Sequence, residues 1–272
     1  MLLSTKRRIA QTVSLITLNT NFLALGSRMG CVPVMNCEAC VLAWLGCPIG
    51  MIARSVAFIE FPIVVFACVL GIGLLVGRLF CGWVCPMGFL QDLLYKIPKP
   101  KLKIPAFFAW FKYGFLLLGV IAVAYFSTDY ETTKLFFCNY CPTSALQVVI
   151  PDMIMNQDFS MNSFRILKFS VLAVVLFLAI ASHRSFCKVM CPIGALIAIT
   201  NKFSLFSLKL NKNTCITCVK CNKGCPMDVK VMESPDATGR AINRSTECIE
   251  CLTCEEHCPV TAISNNSRIL GK

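Results

Sequence analysis

Apolar residues along this chain fall into long unbroken runs, with no alternation of period 2 and little of period 3.6. The runs predict helices over about residues 9–27, 56–76, 105–126 and 166–182, each long enough to cross the roughly 30 Å hydrocarbon layer of a bilayer. Between the second and third runs, Phe89 to Ile97 reads as a short interfacial amphipathic helix, followed by a Pro-rich turn crowded with Lys96, Lys99, Lys101 and Lys103. A less regular helix is expected from Ala195 to Leu208. The first run follows Lys6, Arg7 and Arg8, so it fits either a signal peptide cut near Ala24-Leu25-Gly26 or a retained span. Asn19, Thr20 and Asn21 make it too polar for a signal core, and it reads as a retained anchor.

Composition and charge sharpen this. Of 272 residues, 56% are hydrophobic and 15% charged, and the mean hydropathy of +0.69 is that of a membrane protein with a soluble appendage. Lys6, Arg7, Arg8, Arg78 and the four lysines between 96 and 103 stand on one side of the runs; Arg28, Arg54 and Lys134 stand on the other. The excess of Lys and Arg marks the cytoplasmic side. The expected placement is therefore a prokaryotic inner membrane, multi-pass, with both termini cytoplasmic. A net charge of +12 raises the question of nucleic acid, but the basic residues flank apolar runs, where they serve as a topology signal. Nucleic-acid binding is excluded.

The tail breaks the apolar pattern. Cys215, Cys218, Cys221 and Cys225-Pro226 repeat as Cys248, Cys251, Cys254 and Cys258-Pro259. This C-x-x-C-x-x-C-x-x-x-C-P spacing is the two-cluster ferredoxin signature, whose fourth cysteine ligates the other cluster. It assigns Cys215, Cys218, Cys221 and Cys258 to one [4Fe-4S] cluster and Cys248, Cys251, Cys254 and Cys225 to a second. Each cubane with its four thiolates carries roughly two negative charges, offsetting part of the basic excess. The expected fold is thus an all-α four-span membrane domain, residues 1–208, with a small α+β ferredoxin-like domain, residues 209–272.

Four further Cys-Pro steps mark the membrane part: Cys47-Pro48-Ile49-Gly50, Cys85-Pro86-Met87-Gly88, Cys141-Pro142-Thr143-Ser144 and Cys191-Pro192-Ile193-Gly194. Proline after the cysteine suits the first turn of a new helix, so each unit reads as span, Cys turn, short helix. The expected topology sorts Cys81, Cys85, Cys187 and Cys191 to the inside. Cys37, Cys40, Cys47, Cys138 and Cys141 fall outside, with Cys31 nearby. The inner four suit a third cubane, a copper or zinc ion, or a reduced docking structure. The outer set suits a cluster or disulfides. About 30 Å of hydrocarbon between the tiers exceeds one efficient tunnelling step, so re-entrant Cys turns, a quinone relay or separate purposes are required.

The chain has two histidines, His183 and His257, and no C-x-x-C-H step. Neither a bis-His haem within the bilayer nor a c-type haem can be built. His257 is expected to pack within the tail motif, and His183 to sit at an interface. Glu60 reads as the one acid within a span and is the candidate proton acceptor for quinol oxidation.

Two C-x-x-x-C-P motifs at cytoplasmic span ends (Arg78 to Pro86, Phe186 to Gly194), combined with the tail motif from Cys215 to Pro259, resemble the NapH/MauN family of membrane iron-sulfur proteins, with similar segments in NosR-like and CcoG-like proteins. The chain departs from the NapH pattern in its outer cysteines and lacks the N-terminal flavin domain of NosR-like proteins. The resemblance implies an electron-transfer subunit of quinol dehydrogenase type, coupling the quinone pool or an outer redox partner to cytoplasmic iron-sulfur carriers. It implies other redox subunits on one or both sides. The CcoG-like branch implies instead an assembly factor sending electrons outward to copper or thiols. Two [4Fe-4S] clusters are expected, with one or two more in the Cys tiers and a quinone as further candidates.

Overall fold

A computed structural model describes residues 3–19, 33–37, 46–98, 102–126, 137–206, 208–232 and 246–265. Cys31, Cys40 and the far end of the first expected span lie outside the described residues. The protein is mostly helical. Two helices, Ala106–Phe126 and Ser163–Ala181, are long and apolar enough to cross a membrane. Their outward faces carry bare apolar side chains, with Leu118 68% and Phe177 66% exposed, as expected where lipid replaces water. Ala106–Phe126 changes character along its length, with a wide π-helical stretch at Phe115–Ala122.

The expected span over 56–76 is not one helix. Pro48–Ala57 ends before a turn, Ile59 takes a left-handed φ of 59°, and a new helix runs Ile63–Val76. Pro62 is the cause: it offers no backbone donor and disfavours helix at the residue before it. Glu60, whose N–H donates to Ser55 O at 2.9 Å, is therefore an exposed turn residue and not part of a helix. Lys112, by contrast, is a fully buried charge on the long apolar helix Ala106–Phe126.

The N-terminal helix Leu3–Asn19 is bound into the body. Gln11 Nε2 donates to Gly82 O at 3.0 Å and Ser14 Oγ to Val84 O at 2.7 Å. These bonds satisfy carbonyls of an irregular turn that no helix ladder serves. Ser4 N–H and Oγ bond to the Glu256 carboxylate, and Arg7 reaches Thr253 Oγ1 and Asp92, tying the start of the chain to its tail.

The tail opens at a strand, β1 (Leu208–Leu210), which pairs antiparallel with β2 (Ile263–Asn265) in the register Leu208↔Asn265, Lys209↔Ser264 and Leu210↔Ile263. This ladder staples together the two ends of the cysteine-bearing loops.

Candidate electron-transfer sites

All four Cys-Pro steps form the same local structure. Cys47, Cys85, Cys141 and Cys191 take extended backbone at ψ of 122°, 118°, 119° and 108°, and the following proline opens a helix. With its N–H missing, proline loses nothing at that position, where no intrahelical acceptor exists. The unused N–H groups of the first turn then point back at the cysteine sulfur. Gly194 N–H lies 3.4 Å from Cys191 Sγ, and Gly88 N–H faces Cys85 Sγ.

Cys81, Cys85, Cys187 and Cys191 line one cavity with Arg78, Met87 and Gly194. The chain around it is duplicated. Arg78-x-Phe80-Cys81-x-x-x-Cys85-Pro86-x-Gly88 matches Arg184-x-Phe186-Cys187-x-x-x-Cys191-Pro192-x-Gly194. The two arginines are exchanged in space. Arg78 Nη2 would lie 3.1 Å from a Cβ on Gly194, and Arg184 Nη2 would lie 3.4 Å from a Cβ on Gly88. Each glycine makes room for the guanidinium of the other repeat. Both arginines are fully buried.

The arginines serve different ends. Arg184 Nε and Nη2 grip Asp92 at 2.8 and 2.7 Å, and Nη1 donates to Cys81 O. Burial alone would raise the Asp92 carboxyl, but the Arg184 guanidinium, His183 and Arg7 hold it well below the usual range. His183 stacks on Tyr95 at 4.1 Å between ring centroids while bonding Asp92, so it is an interface residue. Arg78 Nη1 donates to Thr246 O, but its Nε and Nη2 are buried with no acceptor among the described residues. A buried cation with unanswered donors beside four thiols fits an anionic group in that cavity. A [4Fe-4S] core with four thiolates is such a group.

In the tail, Cys225 crosses to line one cavity with Cys248, Cys251 and Cys254. Cys215 and Cys218 lie within electrostatic reach of Cys221, and Cys258 joins the apolar cluster that contains Cys221. Left-handed φ occurs at Thr217, Val219 and Asp228, and again at Glu250, Leu252 and Thr261. Such angles are costly for Thr and Val in particular. They alternate the direction of successive N–H groups, making the concave nests that bind Fe–S centres. Burial and then the Cys251 thiol push Cys254 up to about 12 and Cys225 up to about 11. Thiols so placed ionise when a metal supplies the compensating charge.

The tail is docked on the first cavity. Met227 and Ile249 pack with Cys187, and Cys81, Cys225 and Cys251 join the same cluster. Segment 246–251 is held by the Trp83 indole on Glu250 O at 3.1 Å, by Asn201 Nδ2 on Cys248 O at 3.1 Å, and by Lys112 on Glu247. Sequence reasoning passed over Lys112, Asp92 and Glu247, and took Arg78 for a topology charge. The signal that could have found the arginines was their position, three residues before the first Cys of each inner motif.

Cys37, Cys47, Cys138 and Cys141 line a further cavity, on the other side of the short segment 33–37. Met35 lines both cavities. The tiers are therefore not separated by a bilayer's thickness, because the Cys-Pro turns carry both sets of thiols toward a shared wall.

The chain matches the 4Fe-4S binding domain family at residues 58–105 and 164–213, one match for each inner motif, and the 4Fe-4S dicluster domain family at 207–259. It is 32% identical to MJ0749 and 30% identical to MJ0750, both uncharacterized proteins of Methanocaldococcus jannaschii, over 59% and 60% of its own length. The matched regions span 56% and 64% of those relatives' length. It is also 30% identical to the putative electron transport protein YccM of Escherichia coli, over 59% of this chain and 44% of that protein. No solved structure matches. The ferredoxin-type proteins MauN of Methylobacillus flagellatus and NapH of Haemophilus influenzae match at 25% and 27% identity, and the regulatory protein NosR matches as well. The chain thus carries matches to 4Fe-4S binding domains and is similar, over part of its length, to the ferredoxin-type proteins NapH and MauN.

Proposed function

We propose that this protein is a membrane-bound electron carrier in which the two tail clusters and a third cubane, held by Cys81, Cys85, Cys187 and Cys191, form one line. It couples a quinone pool or a redox partner at the membrane to cytoplasmic iron-sulfur carriers. The observation that carries this reading is that Cys225 and Cys251 of the tail join Cys81 and Cys187 in one packed cluster, so that only the side chains of Met227 and Ile249 stand between tail and membrane sites. Bound cubanes supply one-electron transfer. The chain's residues supply the rest: Arg78 and Arg184 offset buried negative charge, and first-turn N–H groups stabilise the thiolates.

Four crossings remain the proposed topology. Apolar faces on Leu3–Asn19 and Ile63–Val76 support it, with Val13 52% and Val64 81% exposed. At 14 residues the second of these is only about 21 Å long, so the exposed Phe58, Ile59 and Phe61 of the preceding turn complete its apolar band. The bonds from Ser4 to Glu256 support a common side for both termini. An exposed Glu60 has no part in the proposed path.

The test is Cys85→Ser in anaerobically purified protein. One EPR signal should vanish and electron passage between membrane and tail should slow, with both tail clusters still assembled. A variant with every signal and rate intact would make the inner thiols structural. Reduction or oxidation of the centres that follows a copper salt and ignores a quinol analogue would replace this reading with outward metal or thiol reduction.

A further inference from the structure

Neither family match reaches Cys37, Cys47, Cys138 or Cys141. We propose that these four cysteines hold a fourth iron-sulfur centre, and that segment 33–37 makes it the direct neighbour of the inner one. The site stands on its own geometry, while its place as the last station in a line rests on the function proposed above.

The outer cavity is built as the inner one is. Cys47 and Cys141 have the backbone of Cys85 and Cys191, and also that of Cys225 in the tail motif, at ψ 119°. N–H groups of Ile49 and Gly50 face the Cys47 sulfur, and those of Thr143 and Ser144 face Cys141. The third residue past the cysteine turns its N–H toward the sulfur at all four steps, closing to hydrogen-bond distance at Cys191. Donors aimed at sulfur stabilise an anionic, metal-bound thiolate and add little to a disulfide, whose sulfurs are neutral and weak acceptors. The match extends to a glutamine six residues past the cysteine. Gln91 accepts from Phe186 N at 3.1 Å, beside Cys187, and donates to Cys187 Sγ at 3.2 Å. Gln147 accepts from Cys37 N at 2.7 Å and donates to Asn36 Oδ1 at 2.7 Å. Each glutamine bonds the chain at or next to a cysteine that comes from elsewhere in the sequence. A cation attends this cavity as well, for Lys168 bonds Ser144 Oγ at 3.2 Å and acts electrostatically on Cys141.

The partition is thin. The Met35 N–H faces Cys85 Sγ on one side, and Cys37, two residues on, lines the other cavity. Two residues of extended chain span at most about 7 Å. One electron crossing here oxidises one centre as it reduces the other, and no proton need move.

Iron and acid-labile sulfide are counted per chain in anaerobically purified full-length protein and in the double variant Cys47→Ser/Cys141→Ser. The expected counts are about sixteen of each falling to about twelve, with tail and inner EPR signals retained as the control for folding. Equal counts of about twelve in both would overturn this proposal and leave the proposed function standing. About eight in both would overturn the inner centre too. If the double variant does not accumulate, the wild-type protein decides alone. After anaerobic acid release of iron without reductant, all four cysteines should be alkylated in the mass spectrum. Disulfide-linked peptides, or stoichiometric zinc without the extra sulfide, would overturn the proposal.

Discussion

A methyl group on Gly82 would lie 2.5 Å from the carbonyl oxygen of Ile249. The tail backbone thus rests directly on the turn between Cys81 and Cys85, at a separation only glycine allows. Gly82→Ala should force the tail outward and cost about 1–3 kcal/mol, as overpacking does. The expected outcome is a lower Tm and slower electron exchange between tail and membrane sites at an unchanged iron count, read by thermal melting and rapid-mixing spectroscopy. An unchanged rate would show that this approach is not part of the path.

Asp92→Asn should leave Arg184 buried without its counter-charge. Removing one partner of a buried pair costs about 3–5 kcal/mol, seen as a fall in Tm in detergent. The sign with pH follows from the low carboxyl. Asp92 contributes stability above its ordinary pKa of 3.8, and that contribution is lost as pH falls through the depressed folded value. The variant should lack this acid limb and show a smaller loss of stability on acidification.

Arg78→Met should lower the midpoint potential of the inner centre, because a buried cation favours the more negative reduced state. A hydrogen bond to a charged group is worth about 1.5–3 kcal/mol, or roughly 60–130 mV for one electron at about 59 mV per tenfold. Lys112 continues to hold Glu247, so the tail should stay docked. Redox titration followed by EPR measures the shift, and a potential unchanged within about 20 mV would remove Arg78 from the site.

Topology is checked with added cysteines at two exposed positions, Ser160 and Lys212. In intact cells an impermeant thiol reagent should label Ser160→Cys above the parent protein and spare Lys212→Cys. Inverted vesicles should reverse the pattern. Labelling of both from one side would end the proposed arrangement.

What could be read from the chain was local. Cys-Pro spacing announced four helix starts, because proline's missing donor matters at one place in a helix and nowhere more visibly. The crossing of Cys225 to the second tail motif follows from its spacing in the same way. Tertiary choices left weaker traces. The break at 58–62 was hidden by the surrounding apolar residues, and hydropathy ignores the dihedral demands of Pro62. Arg78 looked like a charge bound for water, since nothing short of the repeat it shares with Arg184 tells a buried guanidinium from a topology signal. Lys112 sat in a window apolar enough to mask it. Segment 33–37 has no periodicity at all, and only packing reveals Met35 as a wall shared by two thiol-lined cavities.

The enclosure of the inner thiols sets a schedule for manufacture. Cys85, Cys187 and Cys191 are buried, with segment 33–37 on one side and Ile249 and Met227 closing against Cys187 on the other. For the inner centre proposed above, a docked tail covers the way in for iron and sulfide, so loading is expected to precede docking. Cys191 and Cys251 are 60 residues apart, and at about 5–20 residues per second synthesis alone separates them by roughly 3–12 s. The chain's order of synthesis therefore leaves the cavity open to the loading machinery before the lid that seals it has been made.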